Sequence, residues 1–330
     1  MQNDNQLESW FLENLVCPLD KSELSHQKDR LSCEKNNHTY PVFADIPIML
    51  VKEEIPTHGG MYRTWDIVNK KIEIESDLQA KESKQIIDPY VQKCIAETNS
   101  NFYMHLIGKL QRYPIPPFPI EPAKGKLLLD IGCNWGRWCL SASKIGFNTV
   151  GIDPILESIL AAKKVSKQLG VKSRYLVADA RFLPFRKNLF DYSYSYSVFQ
   201  HFSKSNVQKA LSQIKYVLKG GGISQHQMLN KFGLRSIYSQ LRRGLQEPVE
   251  FQTRYWSPSE LLSVFEKNIG PSKILLGSFF TQGQITDRDL FKPSQRMIFQ
   301  VSQLLSKLSN KIRFFVRFAD NLFLVSEKKY

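Results

Sequence analysis

The stretch Leu127-Leu-Leu-Asp-Ile-Gly-Cys-Asn-Trp-Gly-Arg-Trp138 sets an apolar run of strand length against a glycine-containing turn and the start of a helix. Gly132 and Gly136 let the backbone approach a ligand closely, where a Cβ would clash. One such turn is common in α/β chains, so its surroundings decide its meaning. Downstream, residues 149–153, 174–178, 192–198 and 222–228 read as further strands after 126–131, alternating with helical patterns. That alternation predicts βαβ units and a parallel sheet. Between the last two, Val207, Ala210, Leu211, Ile214, Val217 and Leu218 recur at helical spacing, and Gly220-Gly-Gly is expected to end that helix. A last strand is expected at 321–326, after helices that cover the second face of the sheet.

Acidic residues close three of these strands. Asp153 stands 23 residues after Asp130, near the roughly 20-residue offset at which an acidic side chain meets a ribose. A carboxylate accepts hydrogen bonds from both ribose hydroxyls at once. The next strand runs into Val177-Ala-Asp-Ala180, which puts Asp179 at the carboxyl edge of the sheet, where open α/β sheets bind their ligands.

Together these segments resemble the class I S-adenosylmethionine-dependent methyltransferases. The matching pieces are Asp130-Ile-Gly-Cys-Asn-Trp-Gly, Gly151-Ile-Asp, Ala178-Asp-Ala, Phe190-Asp, Val198-Phe-Gln-His, Leu218-Lys-Gly-Gly-Gly and Arg254-Tyr-Trp-Ser-Pro-Ser-Glu-Leu. They span roughly residues 124–265 in family order. The resemblance implies a Rossmann-like, doubly wound, mostly parallel α/β sheet and S-adenosylmethionine as cofactor. It implies that Asp153 holds the ribose, that Asp179 meets the adenine amino group, and that the Gly132–Gly136 turn passes under the methionine part. Asp130, Cys133, Asn134, Pro154, Ala180 and Ser197 fall at the remaining cofactor-binding positions. Nicotinamide dehydrogenases are the rival, but no Gly-x-x-Gly continuation follows the turn here. Asn134 stands where the family often has a third glycine; Asn tolerates left-handed backbone, so an altered turn that still binds is expected.

Methyl transfer requires an acceptor atom aligned with a sulfonium-bound methyl, and a base only where that atom carries a proton. His201, in Val198-Phe-Gln-His, is the candidate base, since imidazole titrates near neutral pH. Gln225, His226 and Gln227 give the fifth strand unusual polar density for a sheet covered on both faces, and with Tyr255 they are expected to line the acceptor pocket. Tyr192, Tyr194 and Tyr196 alternate with Ser193, Ser195 and Ser197, a large-face and small-face packing pattern.

The segments fall into a small β-rich module at 1–52, a helical connector with a proline-rich linker at 53–123, and the methyltransferase-like domain at 124–330. In the first, Leu15-Val-Cys-Pro-Leu-Asp-Lys, Leu31-Ser-Cys-Glu-Lys-Asn and Tyr40-Pro-Val-Phe resemble zinc-ribbon domains that act as methyltransferase partners. Such domains carry paired Cys-x-x-Cys knuckles, whereas Asp20 and Asn36 stand here in place of the second cysteines. Cys17 and Cys33 alone cannot close a tetrahedral site, and Asp20 with His38 would complete one only as an unusual ligand set. The expectation is a degenerate module without zinc.

The chain carries 42% hydrophobic and 23% charged residues, enough for a sizeable core. No apolar run approaches the roughly 20 residues of a membrane-spanning helix, and the polar start lacks the features of a signal peptide. With five scattered cysteines, a reduced, cytoplasmic protein is expected. The net charge of +14 points to anionic partners, and the first 52 residues, at about −3, contribute none of it. A small-molecule, lipid or glycan-precursor acceptor is the first reading, RNA the second, and a non-catalytic cofactor-binding interaction protein the third. The amphipathic, basic stretch 297–323 allows peripheral membrane contact, against the plainer role of covering the sheet.

Overall fold

The computed structural model describes residues 7–74, 87–98, 101–280 and 285–330, so the connector reading over 75–86 and 99–100 lies outside it. Five parallel strands form its centre: β5 (Leu127–Ile131), β6 (Asn148–Asp153), β7 (Ser173–Ala178), β8 (Phe190–Ser195) and β9 (Leu218–Leu229), in the spatial order β7-β6-β5-β8-β9. Relative to the chain this is 3-2-1-4-5, which places the reversal of strand order between β5 and β8. Beyond β9 come β11 (Asn321–Glu327) and then β10 (Ser272–Ser278), both antiparallel to their neighbours. The fold is therefore an α/β, Rossmann-like, mostly parallel sheet. Its antiparallel end departs from the all-parallel order of the dinucleotide-binding folds.

Both faces of the central strands are apolar, as burial between helices requires. Leu129, Ile131, Leu176 and Ala178 face Val207, Ala210, Leu211 and Ile214 of a helix at Lys204–Val217. Their alternates Tyr175 and Val177 face Leu156, Ile159 and Ala162 of a helix at Leu156–Gln168, while Leu128 and Tyr194 meet Trp138 and Ala142 of one at Arg137–Lys144. The period of two in each strand thus separates two helical layers. Tyr192, Tyr194 and Tyr196 pack in the aromatic cluster with Trp138 and Phe118. The proline-rich linker lies on the same helix, where Ser141 donates to the Pro116 carbonyl.

Numbered in chain order, the helices are α1 (Ser9–Asn14), α2 (Gly60–Val68), α3 (Pro89–Thr98), α4 (Arg137–Lys144), α5 (Leu156–Gln168), α6 (Lys204–Val217), α7 (Leu234–Arg242), α8 (Pro258–Asn268) and α9 (Pro293–Lys311). The helix α6 ends at Val217, before the three glycines that were expected to stop it. Leu218 is already extended, and Gly220 and Gly221 run into β9 beneath the ring of Tyr330, which occupies the space of their side chains. The last strand forms near its expected place, and α9 packs Ser302 against the Phe279 carbonyl at the end of β10.

The N-terminal strands β1 (Ser25–Gln27), β2 (Arg30–Cys33), β3 (His38–Phe43) and β4 (Ile46–Met49) form an antiparallel meander. Its last strand pairs in parallel with β7, Ile48 opposite Val177 and Met49 opposite Ala178, so the meander extends the central sheet into eleven strands. No helix among the described residues is long and apolar enough to cross a membrane.

Candidate functional site

A cavity of about 420 Å³ opens at the carboxyl ends of β5, β6, β7 and β8, beside the reversal of strand order. Its floor is the turn after β5. Gly132 and Gly136 both adopt positive φ, +69° and +83°, and the N–H groups of Gly132 and Cys133 donate to the Ile152 carbonyl. A Cβ on Gly136 would meet the Tyr175 hydroxyl at 2.6 Å and Ala162 at 3.2 Å. Gly136→Ala therefore combines about 1–2 kcal/mol for the left-handed conformation with about 1–3 kcal/mol of overpacking. The expected result is a fall of about 2–5 kcal/mol in unfolding free energy, read from the urea midpoint.

Asn134, in the third-glycine position, is left-handed at φ +47°, and its side-chain oxygen accepts from the Trp135 N–H at 2.8 Å. Its own N–H donates to Asp153 Oδ2 at 3.0 Å, while the Ile155 N–H donates to Oδ1 at the same distance. Burial pushes the Asp153 carboxyl up to about 6, against the pull of those two N–H groups. Cys133, Pro154, Ala180 and Ser197 also line the cavity. Ser197 is left-handed at φ +62°, and its N–H is held by Gln227 Oε1 at 2.8 Å.

Two acidic expectations change. Asp130 does not line the cavity: one residue before the strand end, its side chain points to the α4 face, where Cys139 donates to it at 3.3 Å. Burial pushes that carboxyl up to about 7. Asp179 does reach the wall, but its carboxylate is taken up by Arg181, through the backbone N–H at 2.9 Å and a guanidinium fork at 2.6–3.2 Å. Three N–H groups of Arg181 thus compete for the acceptor sites that the implied adenine contact would use. Arg181 in turn donates to the Ile55 carbonyl, which ties the segment after β4 to this corner.

The proposed acceptor wall is also corrected. His226 is fully buried between Ser193 and Ser195, whose hydroxyls lie 3.2 and 2.7 Å from its ring nitrogens, and Gln227 donates to Asn321 at 2.7 Å. Neither these two, nor Gln225, nor Tyr255, whose ring lies against Arg243, lines the cavity. The polar density of β9 is an internal network, shared with Ser193 and Ser195 of β8 on one side and with Asn321 of β11, which pairs beside it, on the other.

The rim instead brings together residues from distant segments. His201 stacks on Phe251 at 4.1 Å and 5°, and His58 meets the same ring edge-on at 4.4 Å. The Phe251 carbonyl lies 2.7 Å from His201 Nδ1 and can only accept, so Nδ1 carries the proton and Nε2 the lone pair. The Gln200 amide nitrogen stands 3.3 Å from that Nε2. At His58 the Gly60 N–H donates to Nδ1 at 2.9 Å, which leaves the proton on Nε2. Burial pulls both imidazoles below the ordinary value; for His201 the Phe251 carbonyl opposes that shift.

Arg137 escaped the sequence reading because it occupies an ordinary helix-start position. It is 6% exposed, lines the cavity, and lies against the rings of Trp138 and Tyr196 at 5.3 and 5.2 Å. No hydrogen bond or ion pair from another described residue reaches its guanidinium. An isolated buried charge costs several kcal/mol unless an anion arrives. The chemistry on offer is thus a carboxylate for hydroxyls, a cation without an ion pair among the described residues for an anion, and a neutral imidazole whose Nε2 lone pair faces the Gln200 amide.

The chain is similar to several known proteins. A methyltransferase-domain family model matches residues 128–222. An uncharacterized protein of Methanocaldococcus jannaschii is 34% identical over 125 residues, which cover 38% of this chain and 45% of that protein. The ubiquinone biosynthesis O-methyltransferase of Nitrobacter winogradskyi is 28% identical over 149 residues, 44% of this chain and 56% of its own length. The chain thus spans about half the length of these two relatives. Among solved structures, a SAM-dependent methyltransferase of Methanosarcina mazei aligns with a TM-score of 0.45 at 15% identity, covering 63% of this chain and 94% of the other. Residues 128–222 thus match a methyltransferase domain, and the chain that carries them has a Rossmann-like, mostly parallel α/β fold.

Proposed function

We propose that this chain transfers a methyl group from S-adenosylmethionine to a small-molecule, lipid or glycan-precursor acceptor whose accepting atom carries a proton. The observation that carries this reading is the unpaired, buried Arg137 in the same cavity as the Asp153 carboxylate. S-adenosylmethionine offers a diol for the second and a carboxylate for the first, and when bound it supplies an electrophilic methyl on a sulfonium. The glycine turn leaves its backbone bare between the two. His201 and Gln200 both line the cavity, and His201 Nε2 would take the proton of the acceptor atom once that atom displaces the Gln200 amide from it. The units 1–52, 53–123 and 124–330 belong to this reading, the first and last joined through one sheet.

The acceptor class follows from the rim. Exposed Ile237, Tyr238 and Leu241 of α7, then Leu245 and Val249, lead to Phe251 at the cavity, with Arg235, Arg242 and Arg243 among them. Apolar side chains interleaved with basic ones suit an apolar acceptor bearing an anionic group. The O-methyltransferase relatives are compatible with an oxygen acceptor.

Calorimetric titration with S-adenosylmethionine and with NAD tests the cofactor, and transfer of labelled methyl into fractionated cell extract tests the activity. Binding of NAD alone would overturn the reading. Retention on RNA that falls steeply with salt would move the acceptor to RNA. Arg137→Met is expected to weaken S-adenosylmethionine by about 10–100-fold, the value of one hydrogen bond between charged groups. Methylthioadenosine, which lacks the carboxylate, is expected to bind the variant and the parent alike.

A further inference from the structure

We infer that Cys17, Asp20, Cys33 and His38 form a structural zinc site of mixed ligands, two thiolates, one carboxylate and one imidazole. This replaces the expectation of a metal-free module. The argument is independent of the methyltransferase reading.

Two loops converge to make the cluster. The first, Cys17-Pro-Leu-Asp20, turns back through left-handed Lys21, and the Cys17 N–H donates to the Ser22 carbonyl. The second joins β2 to β3 and turns through left-handed Asn37, bringing His38 opposite Cys33 in the strand register. One ligand atom from each of the four side chains lies within 4.8 Å of the others. Cys17 Sγ stands 3.4 Å from His38 Nδ1, Cys33 Sγ 3.6 Å from Asp20 Oδ2, and Asp20 Oδ2 3.8 Å from His38 Nδ1. A tetrahedron with zinc bonds of about 2.0–2.3 Å has edges of about 3.3–3.8 Å, and these three separations fall in that range.

The aspartate-for-cysteine and asparagine-for-cysteine replacements therefore have different meanings. Asp20 keeps a ligand in place of a thiolate. Asn36 does not, but its amide donates to the Asp20 carboxylate, and His38 two residues later supplies the fourth ligand instead. Further contacts orient the set: the Tyr40 hydroxyl lies 3.2 Å from Cys17 Sγ, the Ser22 N–H and hydroxyl donate to Asp20 Oδ1 at 2.9 and 2.5 Å, and the Ser22 oxygen lies 2.8 Å from Cys33 Sγ. Donors aimed at sulfur and carboxylate oxygens are the outer shell that metal ligands require.

Both cysteines are buried, while Asp20 and His38 keep 22% and 34% of their side chains exposed, which leaves an entry path. Thiolate and imidazole donors in tetrahedral array favour zinc over the hard cations. Four protein ligands close the coordination shell, and none of them lines the cofactor cavity. Two thiolates and a carboxylate around a divalent ion leave one net negative charge, next to the Lys21 ammonium. Lys21 also donates to the Leu183 carbonyl at 2.8 Å and to Gln213 Oε1 at 2.6 Å. The metal would thus clamp the meander whose β4 edges β7 to the body of the sheet.

The test uses the full chain produced with zinc in the medium and purified without chelator. Metal analysis is expected to give about one zinc per chain, and exchange with cobalt to give the thiolate charge-transfer and d–d bands of a tetrahedral site. Cys33→Ser is expected to lose the metal. Because both cysteines are buried, His38→Gln and Asp20→Asn serve as variants on the exposed side. Each is expected to weaken zinc at least about tenfold against a chromophoric competitor, and Asn36→Ala to do so by a similar factor. Folded parent protein without zinc, a Cys17–Cys33 disulfide found by thiol titration, or unchanged zinc content in Cys33→Ser and His38→Gln would each overturn the assignment.

Discussion

Asp153→Ala is expected to weaken S-adenosylmethionine binding by about 10²–10⁴-fold. Two hydrogen bonds from ribose hydroxyls to a charged acceptor contribute about 1.5–3 kcal/mol each, which converts to that range. The side chain also holds the turn, through the N–H groups of Asn134 and Ile155, so alanine removes the ligand contact and loosens the floor. Asp153→Asn retains one acceptor oxygen and separates these effects. Burial has raised this carboxyl to about 6, so the proton must leave before the carboxylate accepts from both hydroxyls. The sign follows: affinity is full above pH 6 and falls by about tenfold per unit below it, a dependence the asparagine variant lacks. Calorimetry from pH 8 to pH 5 measures both. An alanine variant that binds like the parent would remove Asp153 from the site.

His201→Gln is expected to lower the rate of methyl transfer by about 10²–10⁴-fold, the usual contribution of a positioned base, with cofactor affinity retained. The Phe251 carbonyl fixes the proton on Nδ1, so only Nε2 is available to the acceptor, and glutamine offers no basic nitrogen there. Burial first, and then the charges of His58 and Arg254, depress this imidazole, while the carbonyl contact raises it. It is consequently neutral at pH 7, and the rate stays level at neutral pH. The rate falls only as pH drops through a value below the ordinary imidazole range of about 6.5. Single-turnover rates at saturating cofactor isolate that limb from the Asp153 titration. His58→Gln, which leaves Nε2 of His201 in place, is expected to keep it. A His201→Gln enzyme with the parental rate and pH profile would exclude the base role.

Much of the fold was legible because a sheet buried on both faces leaves near-continuous apolar runs. Residues 126–131, 149–153 and 174–178 read as strands on that ground, and β5, β6 and β7 form there. The edge strand β10 was missed, since one of its faces is partly exposed and its pattern weak. The direction of a side chain was less legible than its position. Asp130 and Asp153 look alike in sequence, yet the first stands one residue short of its strand end and points into the helical layer. At the helix end, Leu218 read as a last helical residue because an apolar residue at helical spacing does not reveal a turn into strand.

What the sequence determined by itself was the order of the central parallel strands and their helices, the carboxyl edge at which the cavity opens, and the glycine turn with Asp153 beside it. These depend on local periodicity and on spacing within one βαβ unit, where the chain's geometry leaves little choice. The tertiary structure alone decided the rest. It gave Asp179 to Arg181, set Gln225–Gln227 between β8 and β11, left the Arg137 guanidinium with ring contacts but no hydrogen bond or ion pair among the described residues, and brought His58, His201 and Phe251 to one rim. It also set His38 beside Cys17, Asp20 and Cys33. Each is a contact between residues far apart in the chain, fixed by how strands pair and layers pack, and no local pattern carries that information.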